Sequence, residues 1–197
     1  MPSRPGHNIT NQYGMYFLTF TVVGWVDVFS RKECKDIIMD SMCYCIDKKG
    51  LNLHAYVIME SHLHLIWSAK QESAGLSAII RDFKKFTSKE ILGWIQNSGK
   101  ESRKDWMLDV FKASAKNNKN NTAFQVWQQK SRPIELLHPK FTAQKIEYIH
   151  QNSVKAGIVD KAEDYLHSSA RNYLGRPDAL IPVQVIDFGM QVGYVFN

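Results

Sequence analysis

Two histidines that are one residue apart, His62 and His64, stand in an apolar and aromatic run between Tyr56 and Trp67. Successive side chains of a strand point to opposite faces, so the two imidazoles share a face if this run is a strand. Two such imidazoles can bind one divalent metal ion. A half-exposed surface pair is the alternative, since a motif of this length often occurs by chance. Zinc is less favoured, because the sequence has neither Cys-x-x-Cys nor His-Glu-x-x-His.

A tyrosine and an asparagine four residues apart, Tyr148 and Asn152, could contribute to the same site. The apolar Ile146 and Ile149 indicate the buried side of a helix, and residues four apart lie one turn from each other on one helical face. A phenol and an amide oxygen could therefore approach one metal ion together. The alternative is a tyrosine at a half-buried boundary and an asparagine near a helix C-terminus, where asparagine is common. Spacing alone favours this alternative.

The bulk properties restrict the class of protein. A length of 197 residues suits one domain over residues 1–197, with a core at about 13–160 and an irregular tail at 161–197. The net charge of +6 favours a polyanionic partner such as nucleic acid. Three cysteines without paired spacing indicate free thiols in a reducing compartment. With no signal peptide or apolar segment long enough to span a bilayer, we expect a cytoplasmic, nucleoid-associated protein without membrane contact.

The hydrophobic pattern predicts the order strand, helix, strand, strand, helix, strand, helix. The predicted strands are residues 13–25, 51–59, 62–69 and 124–129, and the predicted helices are residues 31–49, 76–95 and 142–153, with one more helix within 99–121. This order resembles a split βαββαβ unit of the ferredoxin-like type. We therefore expect an α+β, RRM-like sandwich with a mainly antiparallel sheet, helices on one face, and an appended C-terminal helix that carries Tyr148.

Both motifs resemble those of a known family. Met59-Glu-Ser-His62-Leu-His64-Leu-Ile is similar to the pattern Met-Pro-Asn-His-Val-His-Leu-Leu, and Tyr148-Ile-His-Gln-Asn152-Ser-Val-Lys-Ala-Gly157 is similar to Tyr-Ile-His-Leu-Asn-Pro-Val-Arg-Ala-Gly. These patterns belong to the REP-associated tyrosine transposases, in the single-tyrosine branch of the HUH transposases. The resemblance extends loosely from Tyr16 to Tyr173. Two independent motifs in the right order make it specific.

The resemblance implies a role for each residue of the two motifs. Tyr148 would be the nucleophile, and His62, His64 and Asn152 would bind Mg²⁺ or Mn²⁺, which would polarise the scissile phosphate. The substrate would be hairpin-bearing single-stranded DNA, cleaved and rejoined through a 5′-phosphotyrosine intermediate with a free 3′-OH. The chain departs from the family pattern at Glu60 and Ser61, where Pro and Asn are usual, and at Ser153, where Pro is usual. None of these departures replaces a presumed catalytic residue.

A basic stripe on the second predicted helix is a candidate DNA-contacting surface. It comprises Arg81, Lys84, Lys85 and Lys89. These side chains could contact phosphates, although a solvated helix face has the same composition. The net charge and the motif pair favour DNA.

Two other functions compete with the transposase hypothesis. One is a non-catalytic, nucleic-acid-binding ferredoxin-like module, and the other is a metal-dependent phosphodiesterase that uses activated water. A covalent protein–DNA adduct would separate the first hypothesis from both. The sequence leaves open whether the protein acts as a monomer or a homodimer, and whether Tyr148 works in its own subunit. Tyr56, Tyr165 and Tyr173 are the next candidate nucleophiles.

Overall fold

The computed structural model describes residues 8–116, 123–129 and 131–188. Its centre is a four-stranded sheet in the order β2-β3-β1-β4, in which every pairing is antiparallel. The strands are β1 (Tyr16–Thr21), β2 (Leu51–Ile58), β3 (His62–Ala69) and β4 (Ile134–Glu135). This is the strand order of a split βαββαβ unit, and the predicted α+β class is confirmed.

The helices cover both faces of this sheet. They are α1 (Lys32–Lys49), α2 (Leu76–Asn97), α3 (Lys104–Lys116), α4 (Pro139–Lys155) and the short α5 (Ala170–Tyr173). Helix α1 ends at Gly50, whose φ of 72° is the left-handed conformation that favours glycine after a helix. Helices α1 and α2 pack on one face of the sheet, as predicted. The appended helix α4 packs on the opposite face.

The alternation of side chains along the strands separates two apolar cores. The larger core lies under α1 and α2, where Leu65 and Trp67 of β3 meet Phe20 of β1. The smaller core lies under α4, where Phe17 of β1 and Ile66 of β3 are buried together with helix residues. Because the side-chain period of a strand is two, the residues between the members of the larger core must face α4.

The predicted fourth strand at residues 124–129 is wrong. That segment makes one isolated bridge, between Trp127 and Val22, and the Trp127 indole is buried, donating to Thr87 Oγ1 at 3.0 Å. The edge strand is instead the two-residue β4, which pairs with the start of β1. The β-like composition of 124–129 reflects the burial of Val126 and Trp127 in the larger core.

The part of the tail that the structure describes, residues 161–188, has little regular structure but is packed on the domain. Tyr165 and Ile181 are buried. Backbone bonds join His167 O to the Ile58 amide, and the Ser169 amide to Tyr56 O. The tail therefore extends the β2 side of the sheet.

Two further features bear on the expectations from composition. All three cysteines, Cys34, Cys43 and Cys45, are free thiols. Among the described residues, no helix has both the length and the apolar character that crossing a membrane requires.

Candidate active site

The histidine pair lies at the start of β3, on the sheet face that α4 covers. The ring centroids of His62 and His64 are 4.9 Å apart. His64 is buried and His62 is half-buried. Burial lowers the pKa of His62. Burial first, and then the repulsion that a protonated His64 would meet from Lys145 and from a protonated His62, lowers the pKa of His64 to about 3. Both imidazoles are therefore neutral at physiological pH, the form that binds metal ions.

His64 is oriented by its neighbours on β1. Thr19 lies directly opposite His64 in the strand register, and its Oγ1 is 2.9 Å from His64 Nδ1. Phe17 stacks on the imidazole with a centroid distance of 5.4 Å. When Nδ1 carries the proton and donates to Thr19, Nε2 keeps its lone pair and faces α4. This is the second contact that a metal-binding histidine commonly makes.

Helix α4 brings Tyr148 to the histidines. The phenol oxygen is 3.4 Å from His64 Nε2, and the two rings meet edge to face at 5.1 Å. Ile146 and Ile149 anchor the helix in the smaller core, and fully buried His150 bonds Ser169 Oγ at 2.9 Å. Tyr148 itself is 40% exposed. Its oxygen thus faces the imidazoles, and the side chain is exposed enough for a substrate to reach it.

The other candidate tyrosines have phenols that are hydrogen-bonded to backbone carbonyls or fully buried. Tyr165 donates to Ile58 O at 2.6 Å, and Tyr173 donates to His54 O at 3.0 Å. Tyr56 is fully buried, and burial raises the pKa of its phenol. The structure therefore places Tyr148 at the histidine pair and these three phenols in structural positions.

Two lysines next to Tyr148 were missed by sequence reasoning. Lys145 Nζ lies 5.5 Å from the Tyr148 ring centroid and 4.8 Å from that of Phe17. Lys155 Nζ lies 5.9 Å from the Tyr148 centroid. Their spacing from Tyr148, three residues before and seven after, was a helical signal available in the sequence. Both ammonium groups therefore lie close to the phenol ring.

Asn152 lies one turn beyond Tyr148, as predicted. Its Nδ2 donates to the Tyr148 carbonyl at 2.6 Å, so its amide is paired with its own helix. The amide oxygen is not used in that bond, and a carbonyl oxygen is a suitable ligand for Mg²⁺ or Mn²⁺. The structure brings Tyr148, His62 and His64 together, and it leaves Asn152 adjacent to this group.

The residues fit a divalent metal in part. Within the described ranges, no three His, Cys, Asp or Glu side chains gather in a way that could hold a metal ion. The site itself offers two neutral imidazoles, one of them oriented by Thr19. Further ligands would come from the Asn152 oxygen and from substrate phosphate oxygens, which hard divalent cations accept.

The predicted DNA-contacting stripe is not part of this site. Its helix, α2, packs on the opposite face of the sheet. Arg81 pairs with Asp82 at 3.0 Å. Lys84 is half-buried with its Nζ 4.3 Å from the Phe20 centroid, and burial lowers the pKa of Lys84 to about 8. Lys85 and Lys89 are exposed. Contact with DNA through this helix stays a prediction for a surface remote from the histidines.

Comparison with known proteins supports the fold. No protein-family model matches this chain, and no curated protein matches it significantly. A solved structure of a REP-associated tyrosine transposase bound to a REP hairpin is similar over 95% of both chains, with a TM-score of 0.54 and 19% identity. At this identity the likeness shows a shared fold. The protein in that solved structure belongs to the family that the two motifs resemble, and it shares the fold of this chain.

A second solved structure is more distant. It is a Deinococcus radiodurans R1 protein assigned to the transposases, with 19% identity over 70% of this chain and 88% of that one. Its TM-score of 0.34 is too low to support an argument.

Proposed function

We propose that this protein is a transposase of the HUH type, which cleaves and rejoins hairpin-bearing single-stranded DNA with Tyr148 as the nucleophile. The observation that supports this most is the placement of the Tyr148 oxygen 3.4 Å from His64 Nε2, beside a second neutral imidazole. The residues come from two distant motifs, and both motifs resemble one family. A protein of that family, solved with a REP hairpin, has this fold.

The reaction assigns a task to each group of residues. A bound Mg²⁺ or Mn²⁺ would supply Lewis-acid polarisation of the scissile phosphate, and His62, His64 and the Asn152 oxygen would hold it. The partly exposed Tyr148 phenol loses its proton to solvent. Its oxygen then forms a bond to phosphorus while the bond between phosphorus and the 3′-oxygen breaks. The leaving 3′-oxygen takes up a proton, and the 5′-phosphate stays on the tyrosine. Attack by a 3′-OH on this phosphotyrosine reverses the step and rejoins a strand.

Lys145 and Lys155 fit the charge changes in this sequence. The phenolate is more negative than the neutral phenol, and the phosphate gains further negative charge in the transition state. Cations above the phenol ring favour the electron-rich form of that ring. The two lysines therefore promote attack from the side of the phenol, and the histidines orient the phosphate from the side of the sheet.

Two alternative functions remain distinguishable from this proposal. A phosphodiesterase that uses water would need the histidines but not the phenol, and a binding module would need neither. The position of Tyr148 favours the covalent route over both, because no role in the core requires this partly exposed ring.

The test is a denaturing gel of the full chain incubated with Mn²⁺ and a hairpin oligonucleotide that is labelled at its 5′ or 3′ end. We expect a protein-linked band with the 3′ label and a free fragment ending in 3′-OH with the 5′ label. Addition of EDTA should remove both products, and the same sequence as a plain duplex should react less. Two free fragments without a protein-linked band would show hydrolysis by water, and uncut DNA would indicate a binding module.

A further inference from the structure

Trp25 has an unusual backbone and an unusual exposure. It is the one non-glycine with a positive φ among the described residues, at 55°, and its side chain is 63% exposed. A bulky residue in the left-handed region is strained, and strain of this kind persists where surrounding structure imposes it, often at functional sites. Since the indole buries little surface, the core gains little from it. The strain therefore presents an aromatic ring to solvent.

The turn that carries Trp25 is anchored on both sides. The Val22 amide donates to Ser61 O at 2.9 Å, and the Val23 amide donates to Val126 O at 2.8 Å. Gly24, with a φ of 62°, approaches α3 so closely that a Cβ there would lie 2.8 Å from Val110 Cγ1. The indole is thus held on a tightly packed turn.

Trp25 lies beside the candidate active site. Its ring meets His62 edge to face at 5.7 Å. His62 contacts His64 at 4.9 Å, and His64 contacts Tyr148 at 5.1 Å. The four rings form a continuous series of contacts with the nucleophile at one end and the exposed indole at the other.

This order decides which nucleotide could reach the indole. In an in-line displacement, the leaving oxygen departs opposite the attacking oxygen. If the phosphate binds at the histidines and Tyr148 attacks from one end, the leaving 3′-oxygen lies toward the other end. That end is Trp25. We propose that Trp25 stacks on the base immediately 5′ of the cleaved bond, the nucleotide whose 3′-oxygen leaves. This inference rests on the proposed function and adds a base-binding position to it.

The chemistry suits this position. An exposed indole stacks on any base, so the contact provides affinity and position with little sequence preference. Stacking would also retain the cleaved strand, so that its 3′-OH remains available for rejoining. Stacked bases commonly contribute about 5-fold to 150-fold in affinity.

The first test uses Trp25→Gly and Trp25→Phe, with Tyr44→Ala as a control for loss of an exposed aromatic ring on α1. Glycine accepts the positive φ, so Trp25→Gly should melt at or above the wild-type temperature. Its cleavage of hairpin DNA should fall about tenfold to a hundredfold, and Trp25→Phe should recover most of that loss. A drop of several degrees in the melting temperature of Trp25→Gly, or unchanged cleavage, would overturn the proposal.

The second test removes the base instead of the ring. An abasic nucleotide 5′ of the cut should slow the wild type by the same factor as Trp25→Gly, and it should not slow Trp25→Gly further. If the two losses multiply, the ring and that base do not act on each other and the proposal fails. Tyr44→Ala should respond to the abasic site as the wild type does.

A third measurement separates this proposal from the proposed function. With 2-aminopurine 5′ of the cut, binding to the uncleaving Tyr148→Phe variant should quench the fluorescence, and adding Trp25→Gly to that variant should abolish the quenching. Quenching without any wild-type adduct would overturn the transposase proposal and keep the stacking site. A wild-type adduct without quenching would keep the transposase proposal and overturn the stacking site.

Discussion

Strand β3 sends Leu63, Leu65 and Trp67 to one face of the sheet and His62 and His64 to the other. The first face is covered by α1 and α2 and is fully apolar on this strand. The second face meets α4, and there the strand carries neutral imidazoles beside a partly exposed phenol. Under the proposed function, one eight-residue strand therefore contributes to stability on one side and to chemistry on the other. Mutations on the two faces should separate these contributions.

The largest effect should come from His62→Ala. We expect Mn²⁺-dependent cleavage to fall by about 10³-fold or more, because metal-ion catalysis supplies several kcal/mol of charge stabilisation. His62 is half-buried, so the melting temperature should change little. The measurement pairs adduct formation with thermal unfolding. Cleavage at the wild-type rate with excess Mn²⁺ would show that this imidazole is not a ligand.

The reverse pattern should follow from Leu65→Ala on the apolar face. Leu65 is completely buried, so the free energy of unfolding should fall by about 2–5 kcal/mol. Urea unfolding gives this value, and the molecules that remain folded should still form the adduct. If Leu65→Ala abolished the adduct while leaving the unfolding free energy unchanged, the separation of the two faces would be wrong.

A smaller effect is expected from Lys145→Met on α4. Loss of a cation next to the phenol and the phosphate should slow adduct formation by about 5-fold to 30-fold. Lys145→Arg keeps the charge and should recover most of the rate. Lys140→Met, an exposed lysine in the first turn of the same helix, serves as the control and should react normally. Equal rates for Lys145→Met and Lys140→Met would remove Lys145 from the mechanism.

The smallest effect concerns Lys84, the half-buried lysine on the apolar face. Its folded pKa of about 8 lies below the ordinary value of 10.5, so the unfolded chain binds more protons between these two pH values. Wild-type stability should therefore gain roughly 1–2 kcal/mol from this group as pH rises from 8 to 10.5, allowing for solvent screening. Unfolding of Lys84→Met should lack that gain, with unchanged adduct formation at pH 7. Loss of the adduct would instead place α2 in the DNA-binding surface.

The sequence predicted the parts of the molecule that periodicity encodes. The strand-like runs at β2 and β3 and the apolar stripes of the helices were enough for the α+β class and for the face that the histidines share. Residue spacing also placed Asn152 one turn from Tyr148. In contrast, the two-residue β4 has no period to detect, and the buried Trp127 segment has strand-like composition without forming a strand.

Other site features depend on tertiary contacts that a linear pattern does not contain. The hydrogen bond between Thr19 and His64 joins residues 45 positions apart, and the strand register alone creates it. The exposed, strained Trp25 meets His62 only because its turn is anchored to residues 61 and 126. The separation of the basic stripe from the site could not be foreseen either, since it depends on which face of the sheet α2 covers.

The central claim is that Tyr148 forms the covalent bond to DNA, and mapping the modified peptide tests it most directly. The wild-type adduct formed with Mn²⁺ and hairpin DNA is digested with nuclease and trypsin and analysed by mass spectrometry. Trypsin should release residues 146–155, which contain Tyr148 as their one tyrosine. We predict a 5′-phosphonucleotide on this peptide and none in the Tyr148→Phe variant. A nucleotide on a peptide that carries Tyr56, Tyr165 or Tyr173, or an adduct that survives Tyr148→Phe, would contradict the account.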